Sequence, residues 1–194
     1  MELHLIRHGK TKANEQKLYC GQTDLPLSDA GREELVSLKK QKIYPPPAEL
    51  FFTSGLLRAE ETISILYGNV ERTAVPDISE YRFGSFEMKS HEELKNRGDY
   101  QAWIADKAGG IPCPGGESKN QFNMRVIEGY RRILEKSSQA GSNSAFVLCH
   151  GGAIACIMEH LMPGQKNFYE WQPKQGRGYT LKYHSEQLHG YIEI

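Results

Sequence analysis

The sequence predicts an α/β sandwich of three layers, with helices on both faces of a mostly parallel sheet that carries an antiparallel edge. Three observations predict it. Short strand-like apolar runs alternate with stretches of helical period over most of the chain. The run from Ser144 to His150 is nearly unbroken in apolar residues, as a central parallel strand buried on both faces should be. The last two strand-like runs, Gly178 to His184 and Leu188 to Ile194, lie close enough to fold back on each other as a hairpin, which supplies the antiparallel edge.

Taken in order, the first strand rests on the alternation of Leu3 and Leu5, with Ile6 on the second face, and it runs straight into Arg7, His8 and Gly9. Gly9 permits a sharp turn there, which leaves Arg7 and His8 at the rim of the sheet. A polar loop follows to Leu27, carrying CGQTDLPL. Ser28 is an N-cap for a helix over DAGREELVSLKKQKI with Leu35 and Leu38 inward, stopped by Pro45 to Pro47. Glu49 to Ser54 is a second strand, and GLLRAEETISILYG opens a helix from its end, with Leu57, Ile63 and Leu66 among its apolar positions and Arg58 in its first turn. Thr73 to Pro76 is a third short strand, followed by a loop that carries Glu80. SHEE, from Ser90, is a capping box for a helical stretch that breaks near Gly98 and resumes through Tyr100, Trp103 and Ile104. Ala108 to Ser118 is a Gly/Pro-rich loop, and Ser118 to Ser138 is the longest helix, with Phe122, Val126, Tyr130, Ile133 and Leu134 on its inner side. The fourth strand, Ser144 to His150, leads into a helix over GGAIACIMEHLM. A single domain over 1–194 is expected, with an insertion at about 84–116 capping one rim.

Composition narrows the function classes. Lys plus Arg and Asp plus Glu both number 24, so no overall charge draws the chain to nucleic acid or to an anionic membrane. The start MELHLIRHG lacks the pattern of a signal peptide and no apolar run reaches membrane-spanning length, so a soluble, cytoplasmic protein is expected. Cys20, Cys113, Cys149 and Cys156 are too scattered for a disulfide framework and form no Cys-x-x-Cys pair, so reduced thiols are expected. No cofactor and no metal is called for, and no acidic cluster offers to hold one.

His8, Arg58, Glu80 and His150 each fall just past the end of a different predicted strand, and parallel strands end on one edge, where ligands bind in such folds. With Arg7, that edge gathers two histidines, two guanidiniums and a carboxylate. Guanidinium matches phosphate oxygens in a bidentate way, and the Gly151-Gly152 helix start adds backbone N–H donors and a positive dipole end. A phosphate group is the substrate feature this set suits, and a small phosphorylated metabolite is the expected partner. Neutral imidazole can attack phosphorus, and a carboxyl at Glu80 can protonate the leaving oxygen and later take a proton from water. Each residue also has a plainer role: His150 as a core histidine, Arg58 paired with Glu61 or Glu34, Glu80 as a loop charge. Rival nucleophiles lack their motifs, since no cysteine has an arginine six positions later and no Asp-x-Asp occurs.

The stretches LIRHGKTKAN, GQTDLPLSDAGREE, TSGLLRAEETI, SEYRFGSFE, PGGES and VLCHGGAI, in this order, resemble the histidine phosphatase superfamily, with its phosphoglycerate-mutase-like fold, along the whole chain. The resemblance implies that His8 is the phosphorylated nucleophile, that Arg7, Arg58 and His150 form the phosphate pocket, and that Glu80 is the proton donor. It places Asn14 at a position that touches the phosphoryl group and Thr11, Gly21 and Gln22 in the neighbouring contact loop. Tyr19 to Leu27 and Phe83 to Met88 are most similar to the α-ribazole phosphatases of cobalamin assembly. Tyr100 and Trp103 then either line a pocket for a flat ring or pack as core of the cap. Mutases of this fold carry an adjacent arginine pair in the cap, where this chain has only Arg97, and a tyrosine where it has Phe83. Lys10 and Cys149 also depart from the usual pattern, and Lys10 brings charge toward the mouth. A broad sugar phosphatase, a phosphoglycerate mutase and a non-catalytic phospho-ligand module are the alternatives. The oligomeric state is left open, a homodimer being one option.

Overall fold

The structure, a computed structural model, describes residues 1–185 and 187–194. Its parallel strands are β1 (Glu2–Arg7), β2 (Leu50–Thr53), β3 (Thr73–Ala74) and β4 (Ser144–Cys149), and its antiparallel strands are β5 (Gly178–His184) and β6 (Gln187–Glu193). They form one six-stranded sheet in the order β3-β2-β4-β1-β5-β6, parallel from β3 to β1 and antiparallel beyond it. This is the mostly parallel sheet with an antiparallel edge that the sequence predicts.

The helices are α1 (Lys12–Glu15), α2 (Asp29–Lys40), α3 (Leu57–Tyr67), α4 (His91–Leu94), α5 (Gly98–Ala105), α6 (Lys119–Gln139) and α7 (Gly151–Leu161). Strand alternation sorts the core into two layers. Ala145, Val147 and Cys149 of β4 pack with Phe122, Val126, Tyr130 and Ile133 of α6 and with α7. Phe146 and Leu148 pack with Leu35 of α2 and Ile63 and Leu66 of α3 on the opposite face. Both faces of β4 are thereby fully buried, which accounts for its unbroken apolar run. The stretch 84–116 carries α4 and α5, and its Phe86, Leu94, Tyr100 and Trp103 join the α6 and α7 side of the core.

Several local expectations change. The polar loop before Leu27 contains α1, which Thr11 caps: its hydroxyl accepts from the Asn14 N–H while Asn14 Oδ1 accepts from the Thr11 N–H. α2 ends at Lys40 rather than Ile43, and Lys42 beyond it turns into the left-handed region (φ 56°). β3 is only two residues long, because Pro76 has no N–H for the ladder and starts a 3₁₀ turn over Pro76–Ile78. Leu57 and Ile104, read as helical apolar positions, are exposed. Leu57 stands at the first position of α3, where its N–H donates to Asp24 Oδ1.

Candidate active site

Because β1, β2, β3 and β4 are parallel, the segments that follow them emerge on one edge of the sheet. That edge opens into a cavity of about 480 Å³ whose wall includes Arg7, His8, Thr11, Asn14, Arg58, Glu80 and Gly152. His150 lies directly behind the wall, fully buried, with its ring centroid 5.0 Å from that of His8 and the planes 62° apart.

The His8 ring is oriented by its own chain. Nδ1 lies 2.6 Å from the Gly9 carbonyl oxygen, which can only accept, so Nδ1 carries the proton and Nε2 keeps its lone pair. Arg58, 1 % exposed, is fixed by donating Nη1 to the Thr23 carbonyl (3.1 Å) and Nη2 to the Gly21 carbonyl (2.7 Å). It pairs with neither of the carboxylates considered for it, since Glu61 holds Arg32 and Glu34 holds Lys10. Arg7 donates Nη1 to the Pro173 carbonyl at 2.8 Å. Its guanidinium packs so tightly on Gly151 that a Cβ there would stand 2.9 Å from Cζ. Glu80 is held by two backbone donors, Tyr81 N–H to Oε1 (2.9 Å) and Gly152 N–H to Oε2 (3.0 Å).

Two polar atoms in this cluster are buried and have no hydrogen-bond partner among the described residues: Arg7 Nε and His150 Nδ1. His150 Nε2 is 2.8 Å from Ser54 Oγ. With the hydroxyl donating to Nε2, Nδ1–H is a second orphaned donor beside Arg7 Nε. A buried donor without an acceptor costs about 1–3 kcal/mol, and two of them around a cationic pocket suit an anion's oxygens.

Both imidazoles titrate well below the ordinary histidine value. For His8 the main cause is burial, then the charges of Arg58 and Arg7; for His150 it is burial, then Arg58, His8 and Arg7. The folded chain therefore binds fewer protons than the unfolded chain below the usual imidazole value of 6.5. Stability is lost as pH falls through that value toward the folded-state pKa. The melting temperature is expected to climb from about pH 5 to about pH 7, and less steeply in His8→Gln; equal slopes would show that His8 is not titrating in this way.

The contact loop behaves differently from its expected part. Gly21 and Gln22 lie outside the cavity wall, and their N–H groups both donate to the Glu87 carboxylate, at 3.0 Å and 2.9 Å. Thr23 N–H and O–H and Phe83 N–H also converge on Glu87. That carboxylate ties the loop whose carbonyls anchor Arg58 to the loop that carries Glu80. Sequence reading missed it, and only its place in the FGSFE stretch hinted at a role. Gly151 also sits behind the wall, whereas Gly152 contributes to it. Lys10 is committed to Glu34 at 2.8 Å and is not part of the wall. Cys149 is buried at the end of β4, where burial pushes its thiol up to about 12.

Aromatic rings make up much of the rest of the wall, Tyr19, Tyr81, Phe83, Trp103, Phe122, Phe168 and Tyr169, together with Lys119 and Glu159. Of the two options, Tyr100 takes only the core one and Trp103 takes both. Tyr100 is core, 1 % exposed, with its hydroxyl 2.6 Å from that of Tyr19, while Trp103 lines the cavity and donates Nε1–H to the Tyr81 hydroxyl. Arg97 is paired with Asp99 and lies over the Phe86 ring, outside the wall.

A cationic pocket with paired imidazoles at the ends of parallel strands suits an anion such as a phosphate group, and the chain belongs to the histidine phosphatase superfamily (branch 1), whose family model it matches over residues 3–189. Among curated proteins it is 30% identical to the adenosylcobalamin/α-ribazole phosphatase of Escherichia coli over 166 residues, 84% of this chain and 79% of the relative. It is 24% identical to phosphoglycerate mutase 1 of Saccharomyces cerevisiae over 99% of this chain and 76% of that one. Among solved structures it is similar to the α-ribazole phosphatase of Shigella flexneri, with a TM-score of 0.81, 26% identity and coverage of 97% and 93%. A phosphoglycerate mutase from Thermus thermophilus gives a TM-score of 0.71 at 28% identity, covering 100% and 99%.

Proposed function

We propose that the chain is a phosphomonoester hydrolase that works through a phosphohistidine on His8. The observation that carries this reading is the geometry of the His8 ring: Nδ1 lies 2.6 Å from the Gly9 carbonyl oxygen, which leaves Nε2 for a cavity wall shared with two guanidiniums. Arg7, Arg58, Asn14 and the Nδ1–H of His150 hold the phosphoryl oxygens, and Thr11 fixes Asn14 by their reciprocal cap. Nε2 attacks phosphorus as the ester bond breaks, Glu80 gives its proton to the leaving oxygen, and the resulting carboxylate then takes a proton from the water that frees phosphate. A Cβ at Gly152 would stand 2.3 Å from Glu80 Oε1, so the carboxyl would have to move aside. Gly152→Ala is expected to displace the carboxyl and slow hydrolysis of alkyl phosphates roughly 10²-fold, as read from initial rates of phosphate release.

For the substrate, the likeness to α-ribazole phosphatases and the aromatic residues of the cavity wall support a phosphate ester carrying a flat ring, of the α-ribazole-5'-phosphate kind. The test is phosphate release from α-ribazole phosphate, 3-phosphoglycerate, sugar phosphates and nucleotides at equal concentration, with a chelator present. Preference for the α-ribazole ester supports the assignment, and preference for sugar phosphates removes it while leaving the chemistry. Conversion of 3-phosphoglycerate to its 2-isomer would identify a mutase instead.

A further inference from the structure

The PGGES stretch has so far no part in the chemistry, although its Glu117 is a buried carboxylate, 6 % exposed. It pairs with Arg125 of α6, whose Nε lies 3.2 Å from Oε2 and whose Nη2 lies 2.5 Å from Oε1. The rest of the guanidinium is spent on one loop. Nη1 donates to the carbonyls of Asp77 (2.8 Å) and Ser79 (3.1 Å), and Nη2 to the carbonyl of Glu80 (3.3 Å). From the other side, Glu117 Oε1 accepts from the Arg82 N–H (2.9 Å) and the Glu117 N–H donates to the Arg82 carbonyl (3.0 Å).

The segment so gripped around Glu80, residues 79–82, is neither helix nor strand, so its peptide groups have no ladder of their own. One ion pair supplies partners on both sides of Glu80 without touching its carboxyl, whose oxygens are taken by Tyr81 N–H and Gly152 N–H. The backbone contact is close as well: a Cβ on Gly116 would stand 2.0 Å from the Arg82 carbonyl oxygen. Only a planar fork with several donors reaches three carbonyls and a carboxylate at once, a geometry a lysine cannot copy.

We propose that Glu117 and Arg125 are a positioning pair that aims the Glu80 carboxyl at the leaving-group oxygen. The proposal rests on the reading of Glu80 as proton donor. A loosened Glu80 hurts most where the leaving group needs its proton, so the signature is selective: kcat/KM falls for an alkyl phosphate and much less for para-nitrophenyl phosphate, whose leaving group departs without help.

The experiment measures kcat/KM for both esters in the full chain and in Glu80→Gln, Arg125→Lys and Glu117→Gln, with circular dichroism and melting curves to establish folding. Glu117→Gln keeps the volume and an acceptor for the Arg82 N–H, so it carries the comparison should Arg125→Lys not fold. Expected is a selective loss on the alkyl ester of roughly 10²-fold in Glu80→Gln and about tenfold in the two pair variants. Selectivity in Glu80→Gln with equal losses on both esters, or none, in the folded pair variants overturns the positioning role alone. Equal losses in Glu80→Gln itself overturn the proton-donor reading and this assignment with it.

Discussion

His8→Ala is expected to abolish phosphate release, turnover falling on the order of 10⁴- to 10⁶-fold, the scale seen when a covalent nucleophile is removed. The physical reason is that the neighbouring imidazole offers no free lone pair: with the Ser54 hydroxyl donating to the Nε2 of His150, the ring's proton sits on Nδ1. The same substitution should eliminate a protein-bound phosphate that survives base and is lost in acid, the stability expected of a phosphoramidate. Trapping with labelled substrate and quenching into base measures this. Persistent label in the alanine variant would move the nucleophile elsewhere and remove the central step of the proposed reaction.

Arg58→Ala is expected to lower kcat/KM roughly 10²- to 10³-fold, because a preorganised charge aimed at developing negative charge in a water-poor site is worth several kcal/mol. The effect has two parts that can be separated. In the proposed reaction the guanidinium contributes binding and transition-state stabilisation, and in the structure it satisfies the carbonyls of Gly21 and Thr23. Losing those bonds costs about 1–3 kcal/mol of folding stability if the carbonyls stay dry. Arg58→Lys restores charge without the fork, so it should recover part of the activity and little of the loop order. Urea unfolding alongside kinetics distinguishes the parts. An Arg58→Ala protein of unchanged kcat/KM would show that Arg58 only braces the loop.

Most of the scaffold was legible from strand ends. Four apolar runs, each followed within a few residues by Arg7-His8, Arg58, Glu80 or His150, are enough to put those residues on one edge once the runs are known to be parallel. The period-two and period-3.6 signals that reveal such runs are carried by side chains such as Val147 and Leu35, which face the core. What escaped was carried by backbone. α1 is four residues long and is closed by Asn14 where a capping box usually has Glu or Gln, so nothing in its polar composition marked it. Gly21 and Gln22 were expected to face a ligand, but their N–H groups answer to Glu87, a carboxylate more than sixty positions away in the chain. Arg125 likewise satisfies peptide groups around Glu80 from an otherwise ordinary amphipathic helix. Contacts of this kind leave no periodicity, because the partner is a peptide group that every residue possesses.

The hydrogen bond from His8 to the carbonyl of the very next residue has an evolutionary corollary. The His8 ring takes its orientation from its immediate neighbour, whereas Phe83, Trp103, Phe122 and Phe168, which line the same cavity, come from remote segments. Substitution of those side chains leaves the Nδ1 bond of His8 in place. Under the proposed reaction, a lineage built on this scaffold can vary the ester it accepts while inheriting the orientation of that one ring.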